Sequence, residues 1–115
     1  MSADCLFCKI IKGDIPSKIE YEDENVFAFH DINPQAPTHI LIIPKEHIAK
    51  IADISDKQEC LIGKLVHAAK KIAEKKGISE GGYRLVFNNG SMAGQEVYHI
   101  HLHLLGGRNL TWPPG

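Results

Sequence analysis

The sequence predicts an α+β fold: a five-stranded antiparallel sheet with one long helix across one face and a short helix at the N-terminus. Three observations predict it. Residues 99–105, His-Ile-His-Leu-His-Leu-Leu, alternate polar with apolar, the period-two pattern of a half-buried strand. Leu61, Ile62, Leu65, Val66, Ala69, Ile72 and Ala73 recur with the 3.6-residue period of an amphipathic helix. The other apolar runs are four to six residues long and are set apart by Gly, Pro, Asn and Asp, the residues that punctuate strands.

Taken in order, Asp4 is placed to cap a short helix over Cys5–Ile11 that Gly13 ends. Ile19–Glu22 and Val26–His30 read as strands joined by the turn Asp23-Glu24-Asn25. Asp31–Pro37 holds two prolines and reads as an irregular loop. His39–Ile43 is nearly all apolar, a central strand that Pro44 terminates. After a connecting segment around Glu46–Ile51, Ser55 and Gln58 form a capping box that opens the long helix, and Gly77 stops it. Within that helix Cys60 reads as packing and His67 as a surface residue. Tyr83–Asn88 is a fourth strand, and the loop Asn89–Gly94 turns the chain into the histidine strand.

Length and composition narrow the function classes. A chain of 115 residues makes one domain, residues 1–115. Its net charge of -1 gives no electrostatic basis for a nucleic-acid or membrane partner. No apolar stretch has the length of a membrane span, and the N-terminus lacks a signal-peptide core. Three cysteines, an odd number, in a chain of this kind point to a reducing compartment, hence the cytoplasm.

Chemistry concentrates in the histidine strand. Side chains two apart on a strand share a face, about 6.6–6.8 Å from one another. His99, His101 and His103 therefore line one face while Ile100, Leu102 and Leu104 enter a core from the other. A row of imidazoles packs poorly and repels itself when charged. It suits a neutral nucleophile, an acid–base pair or a metal site. A glycine-bounded loop, Gly90–Gly94, leads toward the row and can offer backbone N–H groups to a phosphate. Two histidines at this spacing can share an ion, yet no Asp or Glu follows Glu96, so a catalytic metal set is incomplete. Cys5-x-x-Cys8 has zinc-knuckle spacing, and His47 and His99 can complete a Cys2His2 set for a structural Zn2+. Two reduced, half-buried thiols explain the pair equally, and a redox pair less well because no βαβ pattern surrounds it.

His-x-His-x-His with apolar residues between, preceded by Gly94-Gln95-Glu96-Val97-Tyr98 and followed by Gly106-Gly107-Arg108 and Trp112-Pro113-Pro114-Gly115, resembles the histidine-triad (HIT) superfamily in its nucleotide-binding (HINT) branch. The resemblance extends upstream through Phe29-His30-Asp31-Ile32-Asn33-Pro34-Gln35-Ala36-Pro37-Thr38-His39 and covers nearly the whole chain. It implies a purine nucleoside phosphoramidase that hydrolyses the P–N bond of adenosine or guanosine 5′-phosphoramidates through a nucleotidyl-histidine intermediate. His101 would be the nucleophile, His103 a phosphate contact and the His99 carbonyl the group that orients His101. His39 matches an additional active-site histidine. Asp31 and Ile32 match positions holding ribose and base, and Asn88, Gly94, Gln95 and Glu96, followed by Val97, match the phosphate side. Phe7, Ile10, Ile15 and Phe29 would wall the base pocket, a role that core packing serves equally. Some bacterial relatives carry zinc on Cys and His at the places of Cys5, Cys8, His47 and His99; no cofactor is required for catalysis. The resemblance further implies a homodimer with a continuous ten-stranded sheet, in which the tail bearing Trp112 reaches the other subunit's site. Glu96 departs from the expected Ser or Thr and sets a carboxylate where a phosphate should bind. Two alternatives stand beside this reading: a dinucleoside polyphosphate hydrolase of the same superfamily, against which the Trp-Pro-Pro-Gly ending argues, and a non-catalytic purine-nucleotide-binding or adaptor protein.

Overall fold

The computed structural model describes residues 4–115. In order, the elements are α1 (Leu6–Lys12), β1 (Ile19–Glu22), β2 (Val26–His30), β3 (Thr38–Pro44), α2 (Glu59–Lys75), β4 (Tyr83–Phe87) and β5 (Leu102–Gly106). The five strands form one antiparallel sheet in the order β1-β2-β3-β5-β4. The predicted α+β architecture is the observed one. Among the described residues, no helix is long and apolar enough to cross a membrane.

Alternation along the strands divides the sheet into two faces. Val26, Ala28, Ile40, Ile42, Leu102 and Leu104 face α2, where they bury against Leu65, Ala68, Ala69, Ile72 and Ala73. Ile100 joins this core from just ahead of β5. Phe27, Phe29, Leu41 and Ile43 take the opposite face, under Phe7, Cys8 and Ile10 of α1. Salt bridges close the far end of the sheet. The side chain of Glu20 on β1 is 6% exposed and pairs with Lys76 at 2.7 Å, His30 at 2.8 Å and Lys75 at 3.1 Å. Burial alone would raise its pKa; the hydrogen bonds from Lys76, His30 and Lys75 outweigh that and hold it at about 2.

Several local expectations change. The cap of α1 is Cys5, not Asp4: the Cys5 Sγ accepts from the Cys8 N–H at 3.3 Å, while Asp4 sits one residue too early. Gly13 does end that helix, with φ +86°. The Ser55 capping box forms, but it opens a 3-10 turn, Asp56–Gln58, that leads into α2. Val66, expected in the packed stripe, and Cys60, read as a packing residue, are exposed. His67 is at the surface as expected. Strand β3 extends one residue beyond the apolar run at each end, and β4 stops at Phe87.

The histidine strand pairs only from Leu102, which lies opposite Ile42. Beyond that point β3 reaches Pro44, which has no N–H to give a ladder. Ile100 instead donates to the Ile48 carbonyl at 2.8 Å. The in–out alternation survives through residues 99–101 without the ladder.

After β5 the chain turns at Gly107, φ +92°, where a Cβ would stand 2.9 Å from the Pro37 Cβ. The turn lets Arg108 donate from Nε (3.1 Å) and Nη2 (2.9 Å) to the Gln35 carbonyl, clamping the loop between β2 and β3. Gly107→Ala meets both a disfavoured φ and a steric overlap. It should destabilise the fold by about 1–3 kcal/mol. A thermal melt should show Tm lower by roughly 5 °C or more.

Candidate active site

Register builds the site. Phe29 lies opposite Leu41, Leu41 opposite His103, and His103 opposite Val86. Residues directly opposite share a face, so these four form a row across the sheet on the side away from α2. His39, two residues before Leu41, shares that face, and its ring centroid is 5.2 Å from that of His103. The His101 and His103 rings are 5.0 Å apart, and Phe7 of α1 stands edge-on to His101 at 5.1 Å.

Hydrogen bonds assign the tautomers. The Gln35 N–H donates to His39 Nδ1 at 3.0 Å, so His39 carries its proton on Nε2. That nitrogen lies 2.9 Å from His103 Nδ1 and 3.5 Å from Asp31 Oδ2. His103 Nδ1 therefore accepts, and His103 keeps its proton on Nε2. His101 Nδ1 lies 2.8 Å from the His99 carbonyl, which can only accept. The proton of His101 is thus on Nδ1, and the Nε2 lone pair is left unshared.

Burial, the largest influence, lowers the pKa of each of these histidines. For His103 the neighbouring His101 and His39 add to it and bring the value to about 4. Asp31 pulls the other way on His39, as do the His99 carbonyl and Asp31 on His101, without reversing the shift. The row is neutral at pH 7.

These groups border a cavity of about 510 Å3. Its apolar lining includes Phe7, Ile10, Ile15, Phe29, Leu41 and Val97, and its polar lining Asp31, His39, Asn88, Gly94, Glu96, His101 and His103. Ile32 stands at the rim, fully exposed. Three expected residues are elsewhere. Gln95 is buried outside the cavity lining: its Oε1 accepts from the Gly90 N–H, and its Nε2 donates to the Ala49 and Val97 carbonyls, which pins the loop. His99 contributes its carbonyl, while its ring turns away. Trp112 is 82% exposed and does not line this chain's cavity. The sequence reading missed His30 and Gln35, both of which border the cavity. Two prolines mark Asp31–Pro37 as an irregular loop, but they do not show that the Gln35 N–H sets the His39 tautomer.

The His99 ring meets Cys5, Cys8 and His47, and the four potential ligand atoms lie within 4.8 Å of one another. His47 Nδ1 is 3.2 Å from His99 Nδ1; Cys8 Sγ is 3.3 Å from His47 Nδ1 and 3.6 Å from His99 Nδ1; Cys5 Sγ is 3.4 Å from His99 Nδ1. A tetrahedron with zinc–sulfur and zinc–nitrogen bonds of ordinary length has N–N edges of about 3.3 Å and N–S edges of about 3.5 Å. His99 Nε2 donates to the Pro44 carbonyl at 2.8 Å, which leaves Nδ1 unprotonated and facing the cluster. The donor set fits a zinc ion. Asp31, His39 and His103 also converge, but there the hydrogen-bond chain already engages the facing atoms.

A family model described as HIT domain matches residues 12–110. The chain belongs to the HIT family. It is 54% identical over 110 residues to a purine nucleoside phosphoramidase of Escherichia coli K12, with 96% of this chain and 92% of that protein covered. Over 112 residues it is 54% identical to a 14 kDa zinc-binding protein of Zea mays, covering 96% and 87%. Among solved structures, a HIT family hydrolase from Legionella pneumophila superposes with a TM-score of 0.96 at 62% identity, covering 97% of this chain and 100% of that one. The histidine row of this HIT protein therefore stands in the context that its flanking sequence implied.

The depressed His103 pKa has a consequence for stability. Between about pH 6.5 and 4 the unfolded chain holds a proton on this residue that the folded chain does not, so stability falls as pH falls through that window. Long-range 1H–15N spectra should show His103 as the neutral Nε2–H tautomer at pH 5.5. In His103→Asn, acid unfolding should begin at a lower pH.

Proposed function

We propose that this HIT protein is a hydrolase of purine nucleoside 5′-phosphoramidates that works through a nucleotidyl-His101 intermediate. One observation carries the reading: His101 is a neutral, cavity-lining imidazole whose Nδ1 is tied to a carbonyl, leaving Nε2 as a nucleophile of fixed orientation. The similarity to the Escherichia coli phosphoramidase supports the substrate class.

In this reading the apolar side chains of the lining take the purine, and the Asp31 carboxylate accepts from the ribose hydroxyls. His101 Nε2 attacks the phosphorus. A new N–P bond forms as the P–N bond to the amine breaks, and the amine leaves with that electron pair and a proton from solvent. His103, with its proton on Nε2, donates to a phosphoryl oxygen, as does the Asn88 side chain; the Gly94 N–H is already given to the Ser91 carbonyl at 3.0 Å, so this turn shapes the cavity rather than donating to the phosphate. His39 holds His103 in the donating tautomer. Water then attacks phosphorus, the nucleoside monophosphate departs with the water oxygen, His101 recovers its lone pair, and the second water proton returns to solvent.

His101→Ala should abolish turnover while weakening nucleotide binding by less than about tenfold, because the nucleophile acts chiefly in the transition state. Intact-mass measurement of enzyme quenched in alkali during turnover should find a nucleotidyl increment that the variant lacks. Normal turnover by the variant, or product formed by water attack with no adduct in single-turnover experiments, would overturn the covalent reading.

Two structural features belong to the same reading. Cys5, Cys8, His47 and His99 would hold a Zn2+ that tethers α1 and takes no part in the chemistry. Two copies would join at a sheet edge into one ten-stranded sheet. Arg84 on edge strand β4 donates to the Thr111 carbonyl at 2.9 Å, drawing the Trp112 tail along that edge, where a second copy can receive it. Native mass spectrometry checks both: the expected species is two chains with two zinc ions. Cys5→Ser with Cys8→Ser should lose the metal and about 3 kcal/mol or more of stability, yet keep activity in the folded fraction. A metal-free wild type or a monomer would count against the corresponding feature.

A further inference from the structure

We propose that the leaving amine of the natural substrate carries a positive charge, and that Glu96 selects it. The inference rests on the phosphoramidase reading and adds the chemical class of the departing group. Its basis is the charge inventory of the cavity. Among the described residues no Lys or Arg lines it, and two carboxylates do, Asp31 and Glu96. Asp31 is engaged: Oδ1 accepts from the Asn33 N–H at 2.8 Å, and Oδ2 lies 3.5 Å from His39 Nε2. Glu96 has no hydrogen bond or ion pair among the described residues.

Its position is nevertheless fixed. On one side Gln95 is pinned by three hydrogen bonds. On the other, Val97 packs against the apolar cluster that contains Phe7. The backbone therefore holds an unpaired, exposed carboxylate in the cavity lining that also contains His101 and His103, one residue beyond Gln95 from the Gly94 turn.

A nucleotidyl phosphate held at His101 brings a negative charge into the cavity, and no lysine or arginine among the described residues lines it to balance that charge. Base and ribose are uncharged. Within the substrate the leaving group is thus the part able to bring a cation between phosphate and Glu96. A neutral amine leaves the two anions facing each other, an acidic amine adds a third, and a polyphosphate adds several. The same inventory disfavours dinucleoside polyphosphates as substrates.

Three adenosine 5′-phosphoramidates of similar length test the proposal, with leaving groups 3-aminopropyl (cationic), n-butyl (neutral) and 2-carboxyethyl (anionic), each rate being read as a ratio to that of Glu96→Gln so that differences in amine basicity cancel. The wild type should rank them in that order by this kcat/KM ratio, with steps of roughly threefold to fivefold, the size expected of an exposed ion pair. The ranking should flatten in high salt. Glu96→Gln should slow the aminopropyl substrate and speed the carboxyethyl one. Glu96→Lys should invert the order. Hydrolysis of all three without ranking, or a ranking that Glu96→Gln leaves intact, overturns the selection by Glu96 and spares the phosphoramidase reading. Hydrolysis of none by the wild type, with His101 unmodified, overturns both.

Discussion

The hydrogen bond from His101 Nδ1 to the carbonyl of His99 decides which nitrogen of His101 is available to chemistry. A free imidazole exchanges its proton between two positions. Here a group that can only accept removes that choice, and removes ring rotation with it. The carbonyl is in turn held by the placement of His99, whose side chain is completely buried between the Pro44 carbonyl and the Cys5–Cys8–His47 cluster. His99 thus serves two ends of the molecule at once: its ring belongs to the anchor of α1, its backbone to the cavity.

A second constraint acts on the row of imidazoles. Three rings about 5 Å apart cannot all be protonated in a buried setting, since each charge would lack solvation and would repel the others. Burial solves this by keeping them neutral. Neutrality then makes a hydrogen-bond chain workable, because each ring has one donor and one acceptor to place in order. The chain begins at a backbone N–H, that of Gln35, in a loop that Arg108 clamps from the other end of the protein. This chain orients His39 and His103, and the His99 carbonyl orients His101 separately.

Much of this was legible in the sequence because period two is unambiguous when every second residue is histidine. The alternation correctly separated Ile100, Leu102 and Leu104, which enter the α2 core, from the three histidines. It did not reveal where the ladder ends, because that depends on the partner strand: Pro44, distant in sequence, withdraws the N–H that residues 99–101 would need. Asp4 looked like the helix cap by residue type, yet the Cys5 sulfur takes the role because it is held beside His99 by a contact across 94 residues. Gln95 shows a different kind of miss. Its match to the family's phosphate-binding stretch implied contact with phosphate, whereas its amide is spent on three backbone groups that no local pattern announces. Cys60 and Val66 lie on the edge of the helical stripe, and a periodic pattern cannot say how far the sheet beneath extends.

The difference between the two faces of the sheet accounts for where the cavity lies. Helix α2, with 17 residues, is about 25 Å long and can span most of a five-stranded sheet about 20 Å wide. Helix α1 has seven residues, about 10 Å, and cannot. The face under α1 is therefore covered only in part, and the uncovered remainder is the cavity, floored by Phe29, Leu41 and His103. A helix this short has little stability of its own. It stays because Phe7 and Ile10 pack on the sheet and because its N-terminal turn is tied through Cys5 and Cys8 to His47 and His99. The cysteine tie and the apolar contacts divide the work: the tie adds stability, while Phe7 and Ile10, packed on Phe29 and Leu41, keep the cavity wall in place in the folded chain. A small helix thus stays seated on one part of the sheet while the rest stays open.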